Sequence, residues 1–312
     1  MSKTLLLIDG NALIYRAYHA LPPFKTSDGT PTGAIYGFFS ILQKAILDFR
    51  PTHLIVCFDT PKPTFRKEMF AEYRAQRPKA PDDLIVQIPH IHSLLKAAGI
   101  TYLEKEGYEA DDLLGTISRH LHAKDMRVLV FTGDRDMLQL IDDHTFVVMP
   151  QKGITTVAVY GKQEVVDKYG VTPEQIPDYK ALAGDAGDNY FGAKGIGPKT
   201  ATKLLNQFGH LENLMANLQD VQDERIRKIL ADHKDDILMS KRLAHLVNDV
   251  DVEFEMKNAE FTHFDEGLKT ELDKLQLWNL KSRLFKNTAK PVIKKVEKEE
   301  EVKNSDQMDL FS

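Results

Sequence analysis

The sequence predicts an α/β protein: a mainly parallel sheet flanked by helices, followed by a smaller helical region. In residues 1–160, short apolar runs alternate with helical patterns, which is typical of parallel strands joined by helices. In residues 161–286 the pattern stays helical and the strand signals fade. Acidic residues recur where the apolar runs end, and the carboxyl ends of parallel strands form the edge at which such sheets bind ligands.

Most of the predicted strands are short runs rich in Val, Ile and Leu. They are Thr4–Ile8, His53–Phe58, Thr101–Leu103 and Arg127–Thr132, with Thr145–Met149 and Thr155–Val159 as further candidates. Amphipathic patterns between them predict helices over Gly33–Phe49, Asp82–Ala98 and Ala110–Ala123. The single cysteine, Cys57, lies within a strand, so we expect it in the core and expect no disulfide.

The composition divides the chain into three parts. Residues 1–160 form the sheet region, and we expect the helical residues 161–286 to pack against it. Residues 287–312 are rich in Lys, Glu and Val without periodicity, which predicts a disordered tail. No stretch approaches the ~20 apolar residues needed to span a membrane, so we expect a cytoplasmic protein.

Nine carboxylates form the most informative pattern. They lie in the segments LLLIDG, LIVCFD, GYEADD, VLVFTGDRD and GDAGDN, and they are Asp9, Asp59, Glu109, Asp111, Asp112, Asp134, Asp136, Asp185 and Asp188. A single Asp at a strand end is most often a helix cap or a turn residue. Grouped carboxylates repel one another, however, and hard divalent cations relieve that repulsion. Two such ions can activate water and cleave a phosphodiester, so the set predicts metal-dependent phosphodiester hydrolysis.

One segment of the sheet region combines basic and aromatic residues. Residues 62–79 carry six Lys or Arg against two Glu, with three aromatic residues among them. This composition suits a nucleic-acid strand, although a solvated helix with its aromatic residues in the core would look the same. The net charge of −5 allows a nucleic-acid partner, because the surface outside the nine acids is mildly basic. The candidate DNA contacts here are Arg66, Lys67 and Lys79.

A glycine hairpin precedes one helix of the second region. The run is Gly195, Ile196, Gly197, Pro198, Lys199 and Thr200, and TATKLLNQFG continues as a helix. A Gly-x-Gly turn before a helix presents backbone N–H groups to a phosphate, and Lys199 adds positive charge. A plain helix–turn–helix corner is the alternative. The hairpin lies close after GDAGDN, so one element could hold a duplex phosphate while the other holds metal.

Together these motifs resemble the bacterial 5′-nuclease family. That family comprises the 5′→3′ exonuclease domain of DNA polymerase I and free-standing relatives similar to flap endonucleases. The motifs are IDGNALIYRAYHALPP, TSDGTPTGAIYGF, FD followed by TFRKEMFAEYRAQRP, GYEADD, TGDRDMLQL, and GDAGDN followed by GIGPKTA. The resemblance covers about residues 3–285, and the order of the set carries it more than any single motif.

The resemblance implies a PIN-like core, a helical arch at about residues 62–82, and a helix–hairpin–helix module that binds duplex DNA, often with K⁺. It also implies two Mg²⁺ ions, with Mn²⁺ as an alternative. Matched to the motifs, the ligands of the first ion are Asp9, Asp59, Glu109 and Asp111. The second group is Asp112, Asp134, Asp136 and Asp188, with Asp185 beside them.

The resemblance assigns catalytic roles to four further residues. Tyr73, Arg74 and Arg77 match arch positions that contact the substrate near the scissile phosphate, and Arg16 matches an N-terminal Arg of the pattern. The chain departs from the family pattern in places. Arg74 stands where Lys is usual, Ala186 and Gly187 replace two serines, and Tyr190-Phe191-Gly192 stands where Ile-Pro-Gly is usual.

The last residues carry a separate motif. The terminal run Gln307-Met308-Asp309-Leu310-Phe311 resembles the motif by which bacterial proteins bind the sliding clamp. A disordered tether ending in apolar anchors could fill a pocket on such a partner, although a short apolar terminus also arises by chance. The contact residues would be Gln307, Met308, Leu310 and Phe311. This ending also favours a free-standing protein over a fragment of a polymerase.

The main hypothesis is a structure-specific 5′→3′ exonuclease and 5′-flap endonuclease that uses two metal ions. Its substrates would be DNA with 5′ flaps or 5′ ends and RNA primers in RNA–DNA hybrids, during Okazaki fragment maturation and repair. One alternative is a branched-DNA binding protein that recruits the clamp and cleaves weakly. Another is a PIN-type ribonuclease, which the duplex-binding hairpin disfavours. We expect a monomer associated with the nucleoid and no membrane partner.

Overall fold

The computed structural model describes residues 3–121, 126–151 and 156–286 and contains a six-stranded sheet. Its strands are β1 (Lys3–Asp9), β2 (His53–Phe58), β3 (Thr101–Glu104), β4 (Met126–Phe131), β5 (Thr145–Pro150) and β6 (Val157–Tyr160). The order across the sheet is β3-β2-β1-β4-β5-β6, and only β6 runs antiparallel to its neighbour. The predicted α/β class with a mainly parallel sheet is confirmed.

Helices cover both faces of this sheet. In the first half they are α1 (Gly10–Ala20), α2 (Gly33–Phe49), α3 (Phe65–Met69), α4 (Asp82–Ile85), α5 (Ile88–Ala97) and α6 (Ala110–Leu121). The second half adds α7 (Lys162–Tyr169), α8 (Ile176–Ala183), α9 (Pro198–Phe208), α10 (Leu211–Ala216), α11 (Glu224–Asp232), α12 (Lys234–Ala244), α13 (Gly267–Lys274) and α14 (Trp278–Phe285). None of the helices in the described part of the chain has the length and apolar character of a membrane span.

The central strand shows why the runs are apolar throughout. Leu5 and Leu7 of β1 point to one face, while Leu6 and Ile8 point to the other, and all four are fully buried. A strand covered on both faces needs apolar residues at every position, whereas a half-exposed strand would alternate. Cys57 is buried in the same core, as predicted.

The two faces carry helices from different parts of the chain. α6 packs on the face of Leu5, and the buried residues of α7 to α12 continue the same core; α1, α2 and α5 pack on the face of Leu6. α13 and α14, from the end of the described chain, also pack on the face of Leu6. The N–H of Phe261 donates to the carbonyl of Thr52 at 2.9 Å, which ties this end of the chain to the start of β2. Residue 161 stays a predicted boundary, and within the predicted helical region α13 and α14 pack on the sheet.

Several predicted elements match, and two differ for identifiable reasons. Strand His53–Phe58 and helix Gly33–Phe49 have the predicted bounds. The single helix predicted over Asp82–Ala98 is divided into α4 and α5. Pro89 lies in the first turn of α5 and lacks the N–H that a continuous helix would need there. α1 was not predicted; it begins directly after Asp9, which caps it.

Candidate active site

The acidic segments gather at the edge of the sheet where β1, β2 and β4 end. Asp9 closes β1, Asp59 follows β2, and Asp134 follows β4 after a short turn. α6 starts at the same edge with Asp111 in its first turn. Burial raises the pKa of both Asp9 and Asp111, and the charges of Asp59 and Asp134 raise both further. These four carboxylates are therefore electrostatic neighbours, although the sequence separates them widely.

Two hydrogen bonds hold the carboxylate of Asp9. One oxygen accepts from the N–H of Ala12 at 2.9 Å, which caps α1, and the other accepts from the hydroxyl of Thr132 at 2.7 Å. Burial, with the neighbouring negative charges, raises the pKa of Asp9 to about 7, although both hydrogen bonds lower it. The fold thus concentrates more negative charge here than its own groups neutralise.

Backbone groups orient two other carboxylates. Asp59 accepts from the N–H of Ala110 at 2.7 Å, and Asp134 accepts from the N–H of Asp136 at 2.8 Å. Burial raises the pKa of Asp134, while the charge of Lys180 lowers it. Each carboxylate is therefore held by the backbone where a helix or a 3-10 helix begins after a strand.

Arg66 and Asp112 form a buried ion pair. Arg66 donates to both oxygens of Asp112, at 2.7 and 2.8 Å, to Glu109 at 3.3 Å, and to the carbonyls of Leu243 and His245 at 3.0 Å each. The predicted DNA contact of Arg66 is wrong, because a side chain that is 1% exposed cannot reach a ligand. Asp112 is fully buried and Arg66 pairs with both of its oxygens, so its role as a metal ligand stays a prediction and it lies apart from the other carboxylates described below.

Lys180 of α8 binds two of the predicted metal ligands. Its ammonium group contacts Asp136 and lies 2.6 Å from Asp185. Burial raises the pKa of Asp185, but the charge and hydrogen bond of Lys180, with the N–H groups of Gly187 and Asp188, hold it below its ordinary value. The sequence did not single out Lys180, because its role depends on α8 packing against the 3-10 helix of Asp136.

Three residues of the predicted arch bind Asp188. The carboxylate lies 2.6 Å from Arg77, 3.1 Å from Arg74 and 3.2 Å from the hydroxyl of Tyr73. Arg74 also lies 3.0 Å from Glu109, so it connects a ligand of the implied first group with one of the second. Burial raises the pKa of the Tyr73 phenol, which therefore stays protonated and donates to both carboxylates.

The segment expected to form a helical arch is only partly helical. α3 covers five residues, and hydrogen-bonded turns follow as far as residue 77. Arg74 has a φ of 53°, which is unusual for a residue with a side chain, and its N–H donates to the carbonyl of Asp188 at 3.0 Å. Gln76 donates to the side chain of Asn189 at 2.7 Å. These contacts with a distant loop favour a compact turn over a longer helix.

The remaining carboxylates form what we call the acidic cluster. Its members are Asp9, Asp59, Glu109, Asp111, Asp134, Asp136, Asp185 and Asp188. Among residues 3–121, 126–151 and 156–286, no three Asp, Glu, His or Cys side chains meet as a formed metal site. Positive side chains pair with part of the cluster, yet burial and mutual repulsion still raise the pKa of Asp9 and Asp111. Carboxylate oxygens without His or Cys are the donor set that suits hard divalent ions.

The other predicted contacts surround the cluster. Arg16, on α1, donates to the carbonyl of Gln151 at 2.7 Å and borders a cavity of about 40 Å³ that Thr132 also lines. Lys67 and Lys79 are exposed at either end of the arch turns. Among Arg16, Lys67 and Lys79, only Arg16 shares this cavity with Thr132, which hydrogen-bonds the cluster carboxylate Asp9.

The glycine hairpin is present where the sequence predicted it. Gly195 has a φ of 107°, a conformation that favours glycine, and α9 begins at Pro198. Gly197 and Lys199 are exposed, and Thr200 is half-buried. The side chain of Ile196 is buried in the core and anchors the hairpin, and the phosphate contact through the hairpin N–H groups stays a prediction. The clamp-binding prediction, residues 307–311, lies outside the described residues.

Solved structures share this fold. The T5 D15 protein, co-crystallised with metal ions, aligns with a TM-score of 0.68 at 21% identity, over 78% of this chain and 90% of that chain. The catalytic core of Rad2, in complex with DNA substrate, aligns with a TM-score of 0.60 at 18% identity, over 92% and 93%. The implied PIN-like sheet with a second, helical region is confirmed.

Curated relatives and family descriptions agree with the fold. The 5′-3′ exonuclease of Aquifex aeolicus is 41% identical over 89% of this chain and 94% of its own length. DNA polymerase I of Bacillus subtilis is 44% identical over 84% of this chain, which spans only 30% of that polymerase. Residues 4–170 match the 5′-3′ exonuclease N-terminal resolvase-like domain, and residues 171–267 match the 5′-3′ exonuclease C-terminal SAM fold. The chain belongs to the 5′-3′ exonuclease family.

Proposed function

We propose that this nuclease hydrolyses DNA at 5′ ends and 5′ flaps, including RNA primers on DNA, in a reaction that requires divalent metal. The acidic cluster carries the proposal, because buried carboxylates from separate segments meet where a parallel sheet binds ligands. Basic and aromatic residues of the arch segment lie directly against the cluster. An acidic centre bordered by phosphate-binding cations suits a phosphodiester better than a neutral substrate.

The cluster offers two groups of ligands for two ions, for which we propose Mg²⁺. Asp9, Asp59, Glu109 and Asp111 would form the first group, and Asp134, Asp136, Asp185 and Asp188 the second. Divalent ions held there polarise a phosphoryl oxygen and make a bound water acidic. Thr132 and the N–H groups of Ala12 and Ala110 fix the carboxylates before any substrate arrives. This rigidity lowers the reorganisation that the reaction requires.

The arch residues would position the scissile phosphate. Arg74 and Arg77 already lie within 3.1 Å of Asp188, so their guanidinium groups are at the cluster where a phosphate would bind. Arginine binds phosphate through two parallel N–H donors, and Arg74 can therefore replace the Lys of the family pattern with a more directional contact. Tyr73 is only 4% exposed, and its phenol hydrogen-bonds Glu109 and Asp188, so it would hold these carboxylates in place and would not contact the phosphate itself.

The hairpin would hold the duplex away from the reaction centre. Gly195 and Gly197 have no side chain, so a phosphate can approach their backbone. Lys199 and Lys67 are exposed cations that could contact the phosphate backbone of the substrate. We propose that the carbonyl groups of the hairpin also bind a K⁺ ion. Replacing K⁺ by a larger organic cation should weaken duplex binding if this assignment is right, without changing Mg²⁺ affinity.

A cleavage assay tests the central claim. A labelled 5′-flap duplex is incubated with Mg²⁺ or EDTA, and the wild type is compared with Asp134→Asn plus Asp136→Asn. We expect the double variant to lose cleavage by about two orders of magnitude or more, because each substitution removes one catalytic charge. Asp143→Asn, at an exposed carboxylate outside the cluster, is the matched control and should cleave normally. Undiminished cutting by the double variant would remove the metal assignment.

Isothermal titration with Mg²⁺ separates binding from chemistry. The wild type should release heat on binding, and the double variant should bind fewer ions.

Strong binding of flap DNA in Ca²⁺ without any Mg²⁺-dependent product would instead support a branched-DNA binding protein. The altered loop at Tyr190 and Phe191 is the observation that favours this second candidate. Faster cleavage of an RNA-only flap than of a matched DNA flap would favour the ribonuclease.

We further propose that the terminal run binds a bacterial sliding clamp. Gln307 and Met308 would fix the start of the motif, and Leu310 and Phe311 would fill an apolar pocket. A tether of this kind raises the local concentration of the enzyme at its substrate. Leu310→Ala plus Phe311→Ala should abolish binding to immobilised clamp while leaving cleavage of free flap DNA unchanged. Equal clamp binding by the variant would contradict the proposal.

A further inference from the structure

Phe191 is the most exposed large apolar residue of the described chain. Its side chain is 67% exposed, more than Trp278 at 60%. In the sequence it lies between Asp188 of the acidic cluster and the hairpin that starts at Gly195. A single exposed apolar side chain is ordinary on a protein surface, so exposure alone does not assign Phe191 a ligand.

The backbone that carries the ring is fixed on both sides. Tyr190, directly before it, is buried against Tyr73 of the arch and pairs with Asp185 through two hydrogen bonds. The carbonyl of Phe191 accepts from the hydroxyl of Ser240 at 3.0 Å. The loop is therefore rigid, and the exposure of the ring does not come from a loosely held segment.

The next residue restrains the loop further. Gly192 packs so closely that an added Cβ would lie 2.3 Å from the carbonyl oxygen of Leu182. The N–H of Ala193 donates to the same carbonyl at 3.0 Å. With Tyr190 and Gly192 both held, the backbone of Phe191 has a fixed position and its ring is exposed to solvent.

We propose that Phe191 binds the DNA substrate by stacking on a nucleobase or deoxyribose between the acidic cluster and the hairpin. This inference rests on the proposed function, because both neighbouring elements are assigned to the same DNA. Aromatic rings bind bases of any sequence through their flat faces. A ring on a rigid mount loses little conformational freedom on binding, which makes the contact favourable. Phe191 is thus a positioning residue that sets where the duplex meets the cluster.

The test measures affinity in Ca²⁺ for a fluorescent 5′-flap duplex. Phe191→Ala should raise the Kd about fivefold or more, and Phe191→Trp should keep the wild-type affinity. Trp278→Ala is the matched control, since it removes another strongly exposed ring, from α14, which carries no cluster residue. The melting temperatures of all variants should be equal, because the replaced rings are exposed.

An abasic site moved along the duplex next to the junction identifies the contact. At one position the abasic site should weaken DNA binding by the wild type but not by Phe191→Ala, because that variant already lacks the stacking ring. Equal affinities of the wild type and Phe191→Ala on intact DNA would overturn the inference and leave the proposed function standing. Failure of the wild type to bind the flap duplex at all would remove both.

Discussion

At the scale of single residues, two arginines of one segment serve different purposes. Arg66 is buried and gives all its donors to Asp112, Glu109 and two backbone carbonyls. Arg74 is partly exposed and bridges carboxylates that are candidate metal ligands. Arg66 therefore acts as a permanent internal counter-ion, and Arg74 acts at the surface where substrate would bind.

Removing the charge of Arg66 should destabilise the fold. Arg66→Met leaves Asp112 buried without its partner, so we expect a loss of about 3–5 kcal/mol in the free energy of unfolding. Lys62→Met is the matched control, because the pair of Lys62 with Glu106 is exposed and surface pairs contribute about 0–1 kcal/mol. Urea unfolding monitored by circular dichroism measures both. Similar losses in the two variants would contradict the proposed role of Arg66.

The raised pKa of Asp9 predicts a pH dependence of stability. The folded chain holds the proton of Asp9 up to about pH 7, whereas the unfolded chain releases it near 3.8. Each rise in pH between these values therefore favours unfolding, and the full cost is present above 7. Asp9→Asn keeps an acceptor for Ala12 and should be more stable than the wild type above pH 7, by on the order of a few kcal/mol.

Thermal unfolding in EDTA checks this prediction across the pH range. The difference in melting temperature between Asp9→Asn and the wild type should grow from acid to neutral pH and then level off. Asp143→Asn, at an exposed carboxylate, should show no such growth. A constant difference at every pH would show that Asp9 is charged at the same pH in both states.

At the scale of elements, the loop from Asp185 to Gly192 joins two parts of the site, α8 and the arch. Asp185 binds Lys180 of α8, and Asp188 binds the arch residues. Asn189 donates to the carbonyl of Glu72 at 2.8 Å. The close packing of Gly192 against Leu182 sets the position of all these contacts. A small change in this loop should therefore reach the arch.

Gly192→Ala tests that dependence. The new Cβ would lie 2.3 Å from a backbone oxygen, so the loop must move, and we expect a loss of about 1–3 kcal/mol with weaker flap cleavage. Gly187→Ala is the matched control in the same loop, where the nearest atom lies 3.2 Å away on the side chain of Asp185. Chemical denaturation and the cleavage assay are measured on both. Equal behaviour would mean that the loop position does not govern the site.

At the scale of the whole molecule, the end of the described chain closes over its beginning. α13 packs on α5, and α14 packs on α2, so helices from opposite ends of the sequence cover one face of the sheet. Four leucines of α13 and α14 are buried there: Leu268, Leu272, Leu280 and Leu284. Stability of the sheet region thus depends on residues that follow the helical region.

Truncation tests this closure. Each buried Leu contributes about 1.5–3 kcal/mol, and the four together approach the ~5–15 kcal/mol of a typical domain. A chain ending at residue 266 should therefore fail to fold, as judged by circular dichroism and hydrogen exchange. A chain ending at residue 286 is the control and should melt like the full-length protein. A cooperative melt of the shorter chain near the wild-type temperature would refute the dependence.

The sequence predicted those features that depend on local pattern. β2 is apolar from Leu54 to Phe58 and α2 has a continuous helical pattern, so the bounds of both were correct. The family followed from ordered motifs. The arch turns, the pair of Arg66 with Asp112, and the role of Lys180 were not predicted, because each depends on partners more than 40 residues away in the chain. Charge and spacing alone make Arg66 and Arg77 look alike.

The unequal burial of these arginines also governs how dissolved salt acts on the arch. The side chain of Arg77 is 50% exposed and that of Arg66 is 1% exposed. Mobile ions screen charges in contact with water over about 10 Å at moderate ionic strength, and they scarcely affect a pair sealed in the interior. Concentrated salt would therefore weaken the pair of Arg77 with Asp188, while the pair of Arg66 with Asp112 at the start of the segment would stay intact.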